Sequence, residues 1–136
     1  MSGRRAGQTD LPLLPVGSHF DSQPYGGIYD GALGVIAALE FIKELNERDI
    51  TKHRPIEIVK WTNEEESRFA PAMQVSGVWA GAHDIDEEYT KEDEDGNVIR
   101  DELERIGYRV HTPAEPAQEY HAYLELHIEQ GPYLQT

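Results

Sequence analysis

Apolar residues first gather at Leu11 to Val16, broken by Pro12 and Pro15, and give way to Gly17-Ser18-His19. A short apolar run closed by turn residues predicts a strand, and the prolines make it an edge strand or an irregular one. The next stretch is dense in turn formers: Gln23-Pro24, Gly26-Gly27 and Asp30-Gly31. Leu33, Ile36, Ala37, Glu40, Phe41, Glu44 and Leu45 then follow a helical period, predicting a helix that ends near Asn46 to Asp49. Ile56 to Thr62 alternates as a second strand. Shorter helices are expected over Pro71 to Ala82 and over Arg100 to Ile106, the second stopped by Gly107. Near the end, Ala122, Leu124, Leu126 and Ile128 alternate with Tyr123, Glu125, His127 and Glu129, which predicts a strand with one apolar face and one face carrying His127.

Strand, helix and strand at this spacing predict a βαβ unit, hence an α/β fold with a mostly parallel sheet flanked by helices. Ligands in such sheets bind beyond the carboxyl ends of the strands. His19, Asp21 and Glu64 to Glu66 fall there. Asp84 to Glu104 is strongly acidic and is expected to be a solvated loop followed by the start of a helix. No internal repeat is visible, and 136 residues suit one domain or part of one.

Composition narrows the chemistry. Without cysteine, disulfide scaffolds, thiolate metal sites and cysteine nucleophiles are all excluded, so any metal ligands are His, Asp or Glu. The net charge of -14 disfavours nucleic acid and anionic membranes as partners, because both require cationic neutralisation of phosphates. Only four of the 12 basic residues are lysine, and an acidic, lysine-poor surface is a solvation pattern suited to a salt-adapted source. No apolar run approaches the ~20 residues of a membrane helix, and the opening Met-Ser-Gly-Arg-Arg-Ala-Gly has no signal-peptide core. A cytoplasmic location is expected.

Four stretches then offer hard ligands in order. His19 and Asp21 stand two apart, so in an extended segment the carboxylate is on the side that can support the imidazole. Asp30 sits in a glycine-flanked loop, where alone it reads as a turn residue. Of Glu64, Glu65 and Glu66, one is placed to bind a metal while a neighbour acts as general base. His127 lies on the polar face of its strand. Singly, each motif has a simpler surface explanation. Together, in a cysteine-free α/β chain, they fit a two-metal site with a bridging carboxylate and a free glutamate for proton transfer.

The segments Gly-Ser-His-Phe-Asp-Ser-Gln-Pro-Tyr-Gly-Gly-Ile-Tyr-Asp-Gly-Ala-Leu-Gly-Val (17–35), Thr-Asn-Glu-Glu-Glu-Ser-Arg-Phe-Ala-Pro-Ala-Met (62–73) and His-Ile-Glu-Gln-Gly-Pro (127–132) resemble the N-carbamoyl-L-amino-acid hydrolases. Allantoate amidohydrolase and β-ureidopropionase are close relatives of that family, within the aminoacylase and carboxypeptidase group of metal-dependent amidohydrolases. The resemblance implies hydrolysis of a linear carbon–nitrogen bond in an N-carbamoyl-L-amino acid or a ureido acid such as allantoate. It makes His19, Asp30 and His127 ligands of one metal, with Asp30 bridging and Glu65 on the other metal. Glu64 becomes the general base, Asp21 orients His19, and Gln130 and Glu129 lie near the substrate. Zinc, manganese, cobalt or nickel would suit these donors.

The resemblance also implies what this stretch does not contain. Family members are considerably longer, with an inserted dimerisation domain and a returning catalytic segment that carries the last histidine of the second metal. Residues 1–136 are therefore expected to be a single incomplete catalytic domain with a weak second site. The alternative is a catalytically incompetent fragment or split-enzyme half that needs a complementary C-terminal piece. A further alternative is a calcium-binding acidic module: in Lys91 to Glu102, residues Asp93, Asp95, Gly96, Val98 and Glu102 fall at the third, fifth, sixth, eighth and twelfth positions of an EF-hand loop. Lys91 at its first position, and no convincing helix over Ile85 to Thr90, argue against it.

Overall fold

A computed structural model describes residues 2–109 and 120–133. In chain order the elements are β1 (Ser2–Arg5), β2 (Leu14–His19), α1 (Ala32–Glu47), β3 (Ile56–Trp61), α2 (Gln74–Trp79), α3 (Ile85–Glu88) and α4 (Ile99–Arg105). The chain divides into two compact units, Met1–Trp61 with Gln118–Thr136, and Thr62–Ala117. No helix among the described residues is long and apolar enough to cross a membrane.

The first unit holds a three-stranded sheet in the order β1-β3-β2. β2 and β3 are parallel, from Leu14 opposite Ile56 to His19 opposite Trp61, and α1 connects them. The helix packs on both strands, with Val16, Ala38, Leu45 and Ile56 buried together and Leu14, Ile42 and Ile58 around them. The α/β expectation is met, but the sheet is mixed rather than mostly parallel. Ser2–Arg5 adds an antiparallel strand on β3, from Ser2 opposite Val59 to Arg5 opposite Ile56. Nothing apolar in Ser-Gly-Arg-Arg signals that strand. Backbone pairing holds it, and Arg5 fixes it to the end of α1 by donating to Asn46 Oδ1 at 2.8 Å and the Ile50 carbonyl at 2.8 Å.

Three further differences bear on the site. β2 begins later than the apolar run suggests and continues through His19, so this histidine ends a strand instead of opening a loop. Pro15 is tolerated because its missing N–H would face residues 120–124, the side on which its carbonyl accepts from Leu124 N at 3.0 Å. α1 forms where expected, yet the residues it buries are Gly34, Val35, Ala38 and Leu45, while Ile36, Leu39 and Phe41 are exposed. Finally, the stretch expected as a strand over Ala122 to Ile128 makes isolated parallel bridges, Tyr120 to Leu13 and Leu124 to Val16. Its apolar face is turned outward, with Leu124 55% and Leu126 54% exposed.

In the second unit, α2 is shorter than the expected Pro71 to Ala82. Met73 adopts a left-handed conformation at φ 54° immediately before it, and Gly81 at φ 75° follows it, so the helical backbone cannot extend far at either end. α4 matches expectation, and Gly107 at φ 71° follows it. One helical turn, α3, was not expected in the acidic stretch. Asp84 caps it by accepting from Asp86 N at 2.9 Å and Glu87 N at 3.1 Å, with three acidic residues in the first turn, a favourable arrangement at a helix N-terminus.

The calcium-loop reading meets a specific obstacle here. Arg68 donates to Asp93 Oδ2 at 2.9 Å and lies 2.8 Å from Glu102 Oε2, so two of the three carboxylates that would serve calcium converge on a guanidinium. Asp93 Oδ1 accepts from the backbone N–H groups of Asp95 and Asn97 and from the Asn97 side chain. Arg68 lies outside the twelve-residue window, so spacing within that window could not reveal it.

These contacts set a pH dependence. Asn97, then Arg68 and the Asp95 backbone, hold Asp93 at about 2, and Arg105, then Arg68, hold Glu102 at about 2. Carboxyls that titrate below their ordinary value stabilise the fold above that value, and the contribution is lost as pH falls toward 2. NMR carboxyl titrations are expected to show Asn97→Ala raising the Asp93 midpoint more than Arg68→Ala does. Arg105→Ala should likewise raise Glu102 more than Arg68→Ala does.

Candidate functional site

At the carboxyl end of β2, His19 is 1% exposed and Asp30, just before α1, is also 1% exposed. Gly31, at φ 63°, packs directly on the His19 ring, and a Cβ there would overlap its imidazole atoms. Only glycine combines that backbone with that closeness. His127 comes from the returning segment, its ring stacked on His19 with centroids 5.3 Å apart, and its side chain is 26% exposed. His19, Asp30 and His127 each present one ligand atom within 4.8 Å of the others.

The protonation pattern follows from the partners. His19 Nδ1 lies 2.7 Å from the Asp21 carbonyl, and His127 Nδ1 lies 2.8 Å from the Ile128 carbonyl. Carbonyls only accept, so each Nδ1 carries the hydrogen. In the neutral rings both Nε2 atoms are then acceptors, and they face each other at 3.1 Å. Asp30 Oδ1 stands 3.9 Å from one and 3.4 Å from the other. It is buried without a hydrogen-bond partner, whereas Oδ2 accepts from Ser22 Oγ at 3.0 Å.

Three acceptors therefore converge. A buried acceptor left unsatisfied costs ~1–3 kcal/mol, and more when charged. A cation between these atoms would meet a lone pair from each and would give the buried Asp30 Oδ1 a partner. Two nitrogens at zinc–nitrogen distance, about 2.0–2.1 Å, lie about 3.3 Å apart at a tetrahedral angle. The side chains fit a divalent cation.

Asp21 meets His19 through its carbonyl, and its carboxylate Oδ1 is 3.9 Å from the same nitrogen. Glu129 and Gln130 line a cleft of about 580 Å³ with Gln23, Tyr25, Gly26 and Ile128. The cleft adjoins the cluster, because Gly26 packs on the Asp30 carboxylate and Ile128 follows His127. Sequence reasoning did not single out Ser22, Gln23 or Tyr25. Their loop reads only as turn chemistry, and nothing in its spacing shows which side chains face inward.

In the second unit, Glu64 to Glu66 form a sharp turn between Asn63 at φ 54° and Glu66 at φ 57°. The Asn63 side chain closes it by donating to the Phe69 carbonyl at 2.6 Å. Ser76 Oγ lies 3.0 and 2.9 Å from the two Glu64 carboxylate oxygens, a contact that no short-range motif announces. Glu65 is half-buried and Glu66 exposed.

A family model for peptidase family M28 matches residues 3–99. An N-carbamoyl-L-amino-acid amidohydrolase of Rhizobium meliloti is 48% identical over 130 residues, covering 94% of this chain and 31% of that protein. A ureidoglycolate hydrolase of Oryza sativa subsp. japonica is 35% identical over 135 residues, covering 94% of this chain and 28% of that protein. Among solved structures, a hydantoinase/carbamoylase family amidase from Burkholderia multivorans superposes with a TM-score of 0.90 at 50% identity, over 98% of this chain and 33% of that one. The chain thus spans about a third of the length of the relatives it matches, and the resemblance seen in its motifs is borne out.

Glu66 holds a left-handed backbone at φ 57°. A left-handed conformation costs a non-glycine residue ~1–2 kcal/mol, and glycine's greater unfolded-state freedom offsets about 0.5–1 kcal/mol of the gain from replacing it. Glu66→Gly is expected to stabilise the chain by roughly 0.5–1 kcal/mol, read as a higher urea midpoint with an unchanged m-value.

Proposed function

The chain belongs to peptidase family M28, and we propose that it supplies the first part of the catalytic centre of a metal-dependent amidohydrolase acting on N-carbamoyl-L-amino acids or related ureido acids. The convergence of His19 Nε2, His127 Nε2 and the orphaned Asp30 Oδ1 carries this reading. On it, these three side chains hold one divalent cation, and the motif resemblance implies a place for Glu65 on a second. That second site draws a further ligand from the part of the relatives' length that this chain does not span. Zinc, manganese, cobalt and nickel all suit such donors.

Cations held there would supply Lewis acidity toward the scissile carbonyl and a water. The remaining work falls to the chain's own groups. Glu64 takes the proton from the attacking water and passes it to the leaving nitrogen. Ser76 Oγ, shared between both oxygens of that carboxylate, fixes its orientation while leaving lone pairs available for the proton. Gln130 can both donate to a substrate carbonyl or carboxylate and accept from a ureido N–H, and Glu129 can accept from a second N–H. Asp21 orients His19, and the carbonyl contact that fixes its tautomer supports that role.

Calorimetric titration with Zn²⁺, Mn²⁺ or Co²⁺ tests the ligand set on the 136-residue chain. One cation is expected to bind tightly, and Asp30→Asn and His127→Ala should each weaken it at least 10-fold. A chain that binds none of these ions would refute the metal reading. In an enzyme containing this segment, Glu64→Gln is expected to cut kcat on N-carbamoyl-L-amino acids by about 10²–10⁴ at unchanged metal content. Unchanged kcat would remove Glu64 from its assigned role.

A further inference from the structure

Residues 120–127 return to β2 without forming a continuous strand. His121 N donates to the Leu13 carbonyl at 2.8 Å, Leu124 N to Pro15 at 3.0 Å, and Gly17 N to the Leu124 carbonyl at 3.2 Å. Among the described residues these backbone bonds to β2 stop at Leu124, three positions short of His127. Tyr123, Glu125 and His127 each reach back to β2. Opposite them stand three consecutive residues of β2.

The contacts form a ladder of side chains. Tyr123 OH donates to the Gly17 carbonyl at 3.1 Å and accepts from Trp61 Nε1 at 2.9 Å. Its ring meets the Trp61 ring edge-on at 60°, with centroids 5.9 Å apart. Ser18 Oγ, fully buried, donates to the Glu125 carboxylate. His19 and His127 make the third rung through their Nε2 atoms. Each rung moves one residue along β2 and two along the returning segment.

We propose that Tyr123 is a positioning residue for His127: its hydroxyl, held by Trp61 of β3 and by the Gly17 carbonyl of β2, sets the register in which His127 meets His19 and Asp30. The geometry leaves the hydroxyl little freedom. Its single hydrogen is directed to Gly17 and a lone pair is directed to the indole, so rotation about the phenol C–O bond breaks the first contact, and a shift of the segment breaks both. Glu125 adds a second fixed point between Tyr123 and the ligand. A slip of the segment along β2 would carry His127 out of reach of His19 and Asp30.

This inference rests on the metal reading above, and its test keeps the two apart. The 136-residue chain is titrated with Co²⁺, followed by its visible d–d absorption and by calorimetry. Tyr123→Phe keeps the ring and removes the hydroxyl. It is expected to weaken Co²⁺ binding 10- to 100-fold and to change the d–d band intensities, as loss of a ligand-orienting contact does, while circular dichroism stays unchanged. Trp61→Phe, which leaves the bond to Gly17, should weaken binding less. Tyr123→Phe with wild-type affinity and spectrum, beside a His127→Ala variant that has lost the ion, would overturn the positioning role and leave the metal reading standing. Absence of Co²⁺ binding to the wild type overturns both. Should Tyr123→Phe fail to fold, Glu125→Ala removes the middle rung alone. Reduced affinity there supports the ladder, and unchanged affinity defeats it.

Discussion

The meeting of His19, Asp30 and His127 at one point is the constraint on which the first unit turns. Asp30 Oδ1 is buried there without a hydrogen-bond partner, which is costly for a carboxylate. The surrounding fold consists largely of the means by which that meeting is held in place. β2 delivers His19 at its last residue, the loop into α1 delivers Asp30, and the carbonyls of Asp21 and Ile128 fix which nitrogen of each ring faces inward. Gly31 lets the backbone pass within contact of the His19 ring. A cost of this kind persists only where neighbouring structure enforces it, and it marks the place where a cation gains most from binding.

The same demand explains why the returning segment breaks the usual pattern of apolar inside and polar outside. Tyr123, Glu125 and His127 face β2, while Leu124 and Leu126 face outward. Turning the apolar face inward would bury more hydrocarbon, worth about 25 cal/mol per Å². It would also leave the Trp61 N–H without Tyr123 and Ser18 without Glu125, and it would remove His127 from the cluster. The specific polar contacts decide the register, and the apolar alternation does not.

That inversion marks the boundary of what the chain's pattern discloses. Element type was legible for α1, β3 and α4, where period and stop residues agree, and so were the residues offering hard ligands, because cysteine's absence left few candidates. Burial was not. The helical period of α1 has apolar residues on more than one side, so Leu33, Ile36 and Phe41 compete with Val35, Ala38 and Ile42 for the core, and only the sheet's position resolves it. β1 was illegible because its pairing is entirely backbone and its residues are polar. The partners of the chemistry were hidden for a related reason. Ser76 beside Glu64 and Tyr123 beside Gly17 are 12 and 106 residues away in the chain, and no local motif records so distant a hydrogen bond.

The choice of backbone carbonyls to orient both imidazoles has a consequence for the charge of the cluster. A carboxylate on each Nδ1 would add two negative charges to that of Asp30. A divalent cation held there would then carry a net negative environment and polarise a carbonyl weakly. With carbonyl dipoles in those positions, the ligands contribute two neutral rings and one carboxylate, leaving one unit of positive charge uncompensated by the set. Asp21 Oδ1, at 3.9 Å from His19 Nδ1, lies close enough to temper that charge without cancelling it. On the reading proposed above, that surplus would leave a bound ion electrophilic, and it would follow from the carbonyls of Asp21 and Ile128 as directly as the tautomers do.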